Sequence, residues 1–146
     1  MDRRERLSNM DNERTLCIIK PDAVASGHVE EINRMISSNQ LEIINSVKTE
    51  ISLEVAKKFY AEHAEKPFFM QLVKFITSGP AVVQILEGEN CIKRYRDLMG
   101  ATNPEEAFDG TIRKIFAESI SKNAVHGSDS SESSAREIEI MSELFV

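Results

Sequence analysis

KNAVHGSDSSESSAREIEIM, residues 122–141, decides how the chain is organised. KNAVHG reads as a short strand or a strand end. Asp129, with Glu132 three residues on, is a suitable N-cap for a helix that carries Ala135, Ile138 and Met141 inward. His126 therefore falls at the junction of a strand and a helix N-terminus, a place with unpaired N–H groups and a partial positive charge. Such a place welcomes phosphate. Glu137 lies two turns into the helix, within reach of the ring directly or through Ser128. An imidazole there is largely neutral at pH 7 and can act as a nucleophile with the carboxylate orienting it. A histidine that only caps a turn, among serines in ordinary ST-turns, is the competing reading.

Working outward, RTLCIIK (14–20) is an apolar run bounded by charge and predicts a buried strand; Pro21 keeps Lys20 out of helical geometry. Val29, Ile32, Met35 and Ile36 recur at helical spacing and predict a helix over about 28–38. LEIINSVKTEI (41–51) and AVVQILEG (81–88) predict strands. Val55, Ala56, Phe59, Tyr60 and His63 predict a helix ending before Pro67, and Phe69, Leu72, Val73 and Ile76 another, closed by Ser78-Gly79-Pro80. Residues 90–99 read as helical. GATNPEEAFDG (100–110) is a long loop of the kind that is functional or disordered, and Ile112, Ile115, Phe116 and Ile120 suggest a helix after it. Strands interleaved with helices predict an α/β or α+β sandwich, helices on a sheet.

The 146 residues suit one domain, with residues 1–13 as a flexible polar tail and 14–146 as the folded unit. Apolar residues make up 41% and charged residues 29%, and the longest apolar run is too short for a membrane span. The start lacks the apolar segment of a secretory signal. A net charge of −6 argues against a nucleic-acid surface, though a few local cations still suit a phosphate ligand. Two cysteines without a CxxC fit reduced thiols in a cytoplasmic protein. Neither a P-loop nor a GxGxxG follows a strand.

The segment around His126 resembles the signature of nucleoside diphosphate kinases, N-x-x-H-G-S-D-S with a glutamate eleven residues past the histidine. IKPDAV (19–24), Tyr60 before KPFF (66–69), SGP (78–80), LEGEN (86–90), MGATNP (99–104) and GTIR (110–113) resemble that family in the same order, from about Glu13 to Ile140. Ser26 departs from it, standing where many relatives have a basic residue.

The resemblance implies a ferredoxin-like sandwich, a four-stranded antiparallel sheet covered by helices. It implies transfer of the γ-phosphate of ATP or another nucleoside triphosphate to a nucleoside diphosphate through His126, in a ping-pong mechanism. By position, Lys20, Arg96, Thr102 and Arg113 hold phosphates, Phe68 and Ile120 sandwich the base with Leu72 lining that pocket, Lys20 and Asn123 reach the ribose hydroxyls, and Tyr60 and Glu137 support His126. Mg²⁺ comes in with the nucleotide, and relatives form tetramers or hexamers. On periodicity alone, Phe68, Leu72 and Ile120 would be core residues, Tyr60 a packed helix residue, Thr102 part of a turn, and Arg96 and Arg113 surface charges. A catalytically silent member, acting as a nucleotide-binding or scaffold protein, is the alternative from another class; an assay for GTP formed from ATP and GDP separates the two.

Overall fold

The computed structural model describes residues 12–145. Strand β1 (Asn12–Ile19) lies between β3 (Ala81–Glu89) and β4 (Val125–Gly127), and β2 (Glu42–Thr49) forms the far edge, giving the order β2-β3-β1-β4 with every pairing antiparallel. The sheet is an α+β sandwich of the ferredoxin-like type.

The apolar runs of β1 and β3 follow from burial on both faces. Cys17 and Ile19 of β1, with Val82 and Leu86 of β3, join one core cluster; Leu16 and Ile18, with Ala81 and Val83, join the other. The period of two thus sorts a continuous apolar run into two cores, and each fully buried Leu or Ile contributes about 1.5–3 kcal/mol relative to exposure. Helices α1 (Pro21–Ala25), α2 (Val29–Ser38), α5 (Cys91–Met99) and α6 (Ile112–Phe116) cover the first face through Ala23, Ile32, Ile36, Tyr95, Met99 and Ile112. Helices α3 (Leu53–Phe59), α4 (Phe69–Ile76) and α7 (Ser131–Met141) cover the second through Val55, Phe59, Val73, Ile76 and Met141.

Several sequence expectations shift in detail. Residues 1–11 of the expected tail lie outside the described residues, and Asn12 and Glu13 already belong to β1, opposite Glu89 and Gly88. The helix expected to include Tyr60 and His63 ends at Phe59, and Ala61–His63 forms a separate 3₁₀ turn. The helix after Thr111 stops at Phe116 because Ala117 adopts an extended backbone, so Ile120 sits in a loop. Pro21 starts the short α1, where its missing N–H costs nothing, a helix that periodicity over five residues cannot reveal. In α7 the N-cap is Ser130, whose hydroxyl accepts from the Ser133 N–H, and not Asp129. The buried residues of α7 are Ser134, Glu137 and Met141, and Ile138 packs on the same core as expected, while Ala135 is exposed.

Candidate active site

Register brings the first two site residues together. Ile18 pairs with His126 and Ile19 with Val125, so Lys20, one residue beyond β1, comes opposite Ala124 and near the histidine. Its backbone N–H donates to the Ala124 carbonyl at 2.8 Å. From the second face, α7 aims Glu137 at the same strand.

His126 Nε2 lies 2.8 Å from Glu137 Oε1, and Ser128 Oγ donates to that same oxygen at 2.7 Å. The Leu16 N–H donates to Ser128 Oγ at 3.3 Å, which anchors the hydroxyl to β1. An ionised carboxylate only accepts, so the Nε2 position carries the proton and Nδ1 keeps its lone pair. Phe59 stacks edge-on against the ring at 4.9 Å between centroids. Burial pushes the His126 pKa below its ordinary 6.5, opposed by Glu137 and assisted by the charges of Lys20 and Arg113. The ring is therefore neutral at pH 7, with 22% of its side chain open to solvent. Tyr60 lies beside Phe59 at 4.8 Å, and burial followed by the charge of Glu137 pushes its phenol up to about 12, so it stays protonated.

The cations form the other half. Lys20 Nζ donates to Asn123 Oδ1 at 2.8 Å. Burial, with Arg113 nearby, brings its pKa down to about 8 against the opposing pull of Asp22. Arg113 is 8% exposed and donates to three backbone carbonyls, those of Asn123 at 3.4 Å, Gly100 at 3.1 Å and Val125 at 2.9 Å. It is no surface charge: it fastens the loop after α5 to the strand that bears the histidine. Arg96 is exposed and reaches the Gly127 carbonyl at 3.5 Å. Lys20, Asn123, Arg113, Arg96, Glu137 and Tyr60 thus surround or adjoin His126.

Among the described residues, the remaining expected residues make no hydrogen bond or ring contact with that cluster. Phe68 and Leu72 stand one turn apart at the start of α4, joined by a 3.1 Å backbone bond. Phe68 is 42% exposed and Ile120 57% exposed, so neither is the core residue that periodicity suggests. Thr102 is exposed in the loop between α5 and α6.

The N-terminus of α7 differs from the sequence reading. The first-turn N–H of Ser133 already bonds Ser130, and hydrogen bonding to Ser133, the largest effect, lowers the Asp129 carboxyl. That end of α7 opens with Arg96 and Lys93 on a cleft of about 400 Å³ that does not include His126. An end occupied by its own hydroxyl and carboxylate is a poor phosphate seat. Gly127 of β4 is confined by its neighbours, since a Cβ there would stand 2.7 Å from the Tyr95 ring. Sequence reasoning missed Phe59, Tyr95 and Asp22; only the spacing of Asp22, two residues after Lys20, offered a hint.

A family model described as Nucleoside diphosphate kinase matches residues 13–144. A nucleoside diphosphate kinase of Campylobacter fetus is 57% identical over 86% of this chain and 92% of its own, and one of Methylorubrum extorquens is 52% identical over 88% and 92%. Among solved structures, the nucleoside diphosphate kinase of Aquifex aeolicus superposes with a TM-score of 0.86 at 42% identity, over 92% of this chain and 99% of that one. The halophilic enzyme of Halobacterium salinarum, in complex with CDP, gives 0.85 at 38% identity over 88% and 86%.

Proposed function

The chain belongs to the nucleoside diphosphate kinase family, and from that premise we infer that His126 carries the phosphate between its two nucleotide substrates. The enzyme is a nucleoside-diphosphate kinase, and ATP serves as a donor. The observation that carries the assignment of His126 is the 2.8 Å bond from Nε2 to Glu137, which leaves Nδ1 as the lone-pair nitrogen.

In the first half-reaction, Nδ1 attacks the γ-phosphorus, the N–P bond forms, the bond from phosphorus to the β–γ bridging oxygen breaks, and the nucleoside diphosphate leaves with that electron pair. Positive charge that develops on the ring is met by Glu137 through the Nε2 proton. The second half-reaction reverses these steps with a new diphosphate. Phosphoryl transfer needs alignment and charge neutralisation more than covalent help, and Lys20, Arg96 and Arg113 supply cations, with the Thr102 hydroxyl as a further hydrogen-bond donor to the phosphates. Phe68 and Ile120 hold the base from its two faces, Leu72 lines that pocket, and Lys20 and Asn123 meet the ribose hydroxyls. The exposure of Phe68 and Ile120 supports this reading, since an apolar clamp must stay open to receive a base.

Mg²⁺ fits as part of the nucleotide. Lys20 and Arg113 already oppose each other's charge beside His126, a setting hostile to a bare dication and suited to one carried on phosphates. When bound, the ion neutralises charge on the transferring phosphoryl group.

The enzyme works as a tetramer or hexamer in the cytoplasm. Phe108 is 85% exposed in the loop between α5 and α6, an apolar side chain suited to a neighbouring subunit, and Cys17 and Cys91 are free thiols. Light scattering should give a mass above that of a dimer; a monomer mass at micromolar concentration would contradict the assembly. Production of GTP from ATP, Mg²⁺ and GDP tests the activity, and no GTP under those conditions would overturn it.

A further inference from the structure

Ala124, two residues before His126, has φ of +73°, a region that a residue with a Cβ rarely visits. The Val125 N–H donates to the Asn123 carbonyl at 2.8 Å across it. A bond from residue i+2 back to i over a central positive φ is the strained form of the γ-turn. Such strain persists only where surrounding groups over-determine the backbone. Three groups do so here. The Lys20 N–H donates to the Ala124 carbonyl at 2.8 Å, Arg113 Nε donates to the Asn123 carbonyl at 3.4 Å, and Asp22 Oδ2 accepts from the Ala124 N–H at 3.1 Å.

Asp22 is the only one of the three for which the reaction gives no other task. Its carboxylate reaches from the first turn of α1 across 102 residues of sequence. Its second oxygen, Oδ1, is buried without a partner, a costly arrangement for a group that holds one backbone N–H. What that bond fixes is consequential. Asn123 presents Oδ1 to Lys20 on one side of the turn, and Val125 leads directly to His126 on the other.

We propose that Asp22 is a positioning residue for phosphoryl transfer: its carboxylate holds the strained turn at Ala124 that sets Lys20, Asn123 and His126 relative to one another. The inference rests on His126 as the phosphate carrier. Without the carboxylate the turn relaxes, and the nucleophile and the cation lose their common frame.

The test follows the labelling of His126 by γ-labelled ATP in single-turnover experiments, with ADP binding measured calorimetrically on the same proteins. Asp22→Ala should slow labelling by about 10- to 100-fold, the factor that loss of a support for one strained residue implies, and weaken ADP binding by a much smaller factor. Asp22→Asn keeps an acceptor oxygen and should retain most of the rate. Ala124→Gly, added to Asp22→Ala, should recover much of the loss, because glycine adopts positive φ without strain. If Asp22→Ala alone does not fold, the double variant should fold and label. Labelling of Asp22→Ala as fast as wild type overturns the inference, as does an equal loss in rate and binding, or no recovery with Ala124→Gly. Absence of label at His126 in the wild-type protein instead overturns the assignment of the carrier, before Asp22 is tested.

Discussion

Glu137 Oε1 accepts from two groups at once, His126 Nε2 at 2.8 Å and Ser128 Oγ at 2.7 Å. The shared oxygen fixes both the tautomer and the tilt of the ring. Glu137→Ala should reduce turnover by about 10²-fold or more, the scale on which an imidazole loses its orienting carboxylate. It should also lower the His126 pKa further, since Glu137 opposes the burial that depresses it. Steady-state rates and an NMR titration of the imidazole check both. An unchanged turnover would detach Glu137 from the reaction.

The two depressed pKa values set a pH window. Burial lowers that of His126 below 6.5, so the neutral, nucleophilic ring survives to lower pH than an exposed histidine would allow, and kcat/KM should fall only below that value. Burial lowers that of Lys20 to about 8, so its charge is lost earlier than the usual lysine value, and kcat/KM should fall again above about pH 8. Lys20→Arg should move the alkaline limb upward in whatever activity remains. An alkaline limb unmoved in that variant would assign it to another group.

Arg96 and Arg113 should separate in their effects. Both variants to Ala should slow transfer by about 10²-fold, as for other lost charged donors. Arg113→Ala should also destabilise the fold by about 3 kcal/mol, because it leaves the carbonyls of Asn123, Gly100 and Val125 without their charged donor. Arg96 is exposed, with a single 3.5 Å contact, and its removal should leave stability nearly unchanged. Urea denaturation measures the difference; equal stability of the two variants would contradict it.

Nucleotide choice should follow the sugar more than the base. As the proposed base clamp, Phe68 and Ile120 would offer faces to a flat ring and no polar edge contacts, and every base has such a face. Purine and pyrimidine diphosphates should therefore be accepted at similar rates. A missing 3′-hydroxyl should cost far more, by leaving Lys20 and Asn123 without a partner. Use of 3′-deoxy substrates at the normal rate would remove these residues from the sugar site.

The sequence made the two central strands legible because burial on both faces produces unbroken apolar runs, and it made α2 legible through its apolar spacing. It exposed His126 and Glu137 as a pair because one strand and one helix hold both within eleven residues. Periodicity failed where tertiary contacts decide. It extended the helix past Phe116 to Ile120, although Ala117 turns extended, and it placed Ala135 inward although the stripe runs through Ser134 and Glu137. The burial of Arg113 was hidden, because its partners are backbone carbonyls that no side-chain pattern announces. The partner of Asp22 was hidden for the same reason: it is the N–H of a residue 102 positions away.

The most direct measurement is incubation of the protein with γ-labelled ATP and no acceptor. The account predicts one label per chain, acid-labile and alkali-stable as a phosphoramidate is, discharged when a nucleoside diphosphate is added and absent from His126→Ala, with parallel lines in steady-state kinetics. Label on a serine of 128–134, or full turnover in the folded His126→Ala protein, would contradict it.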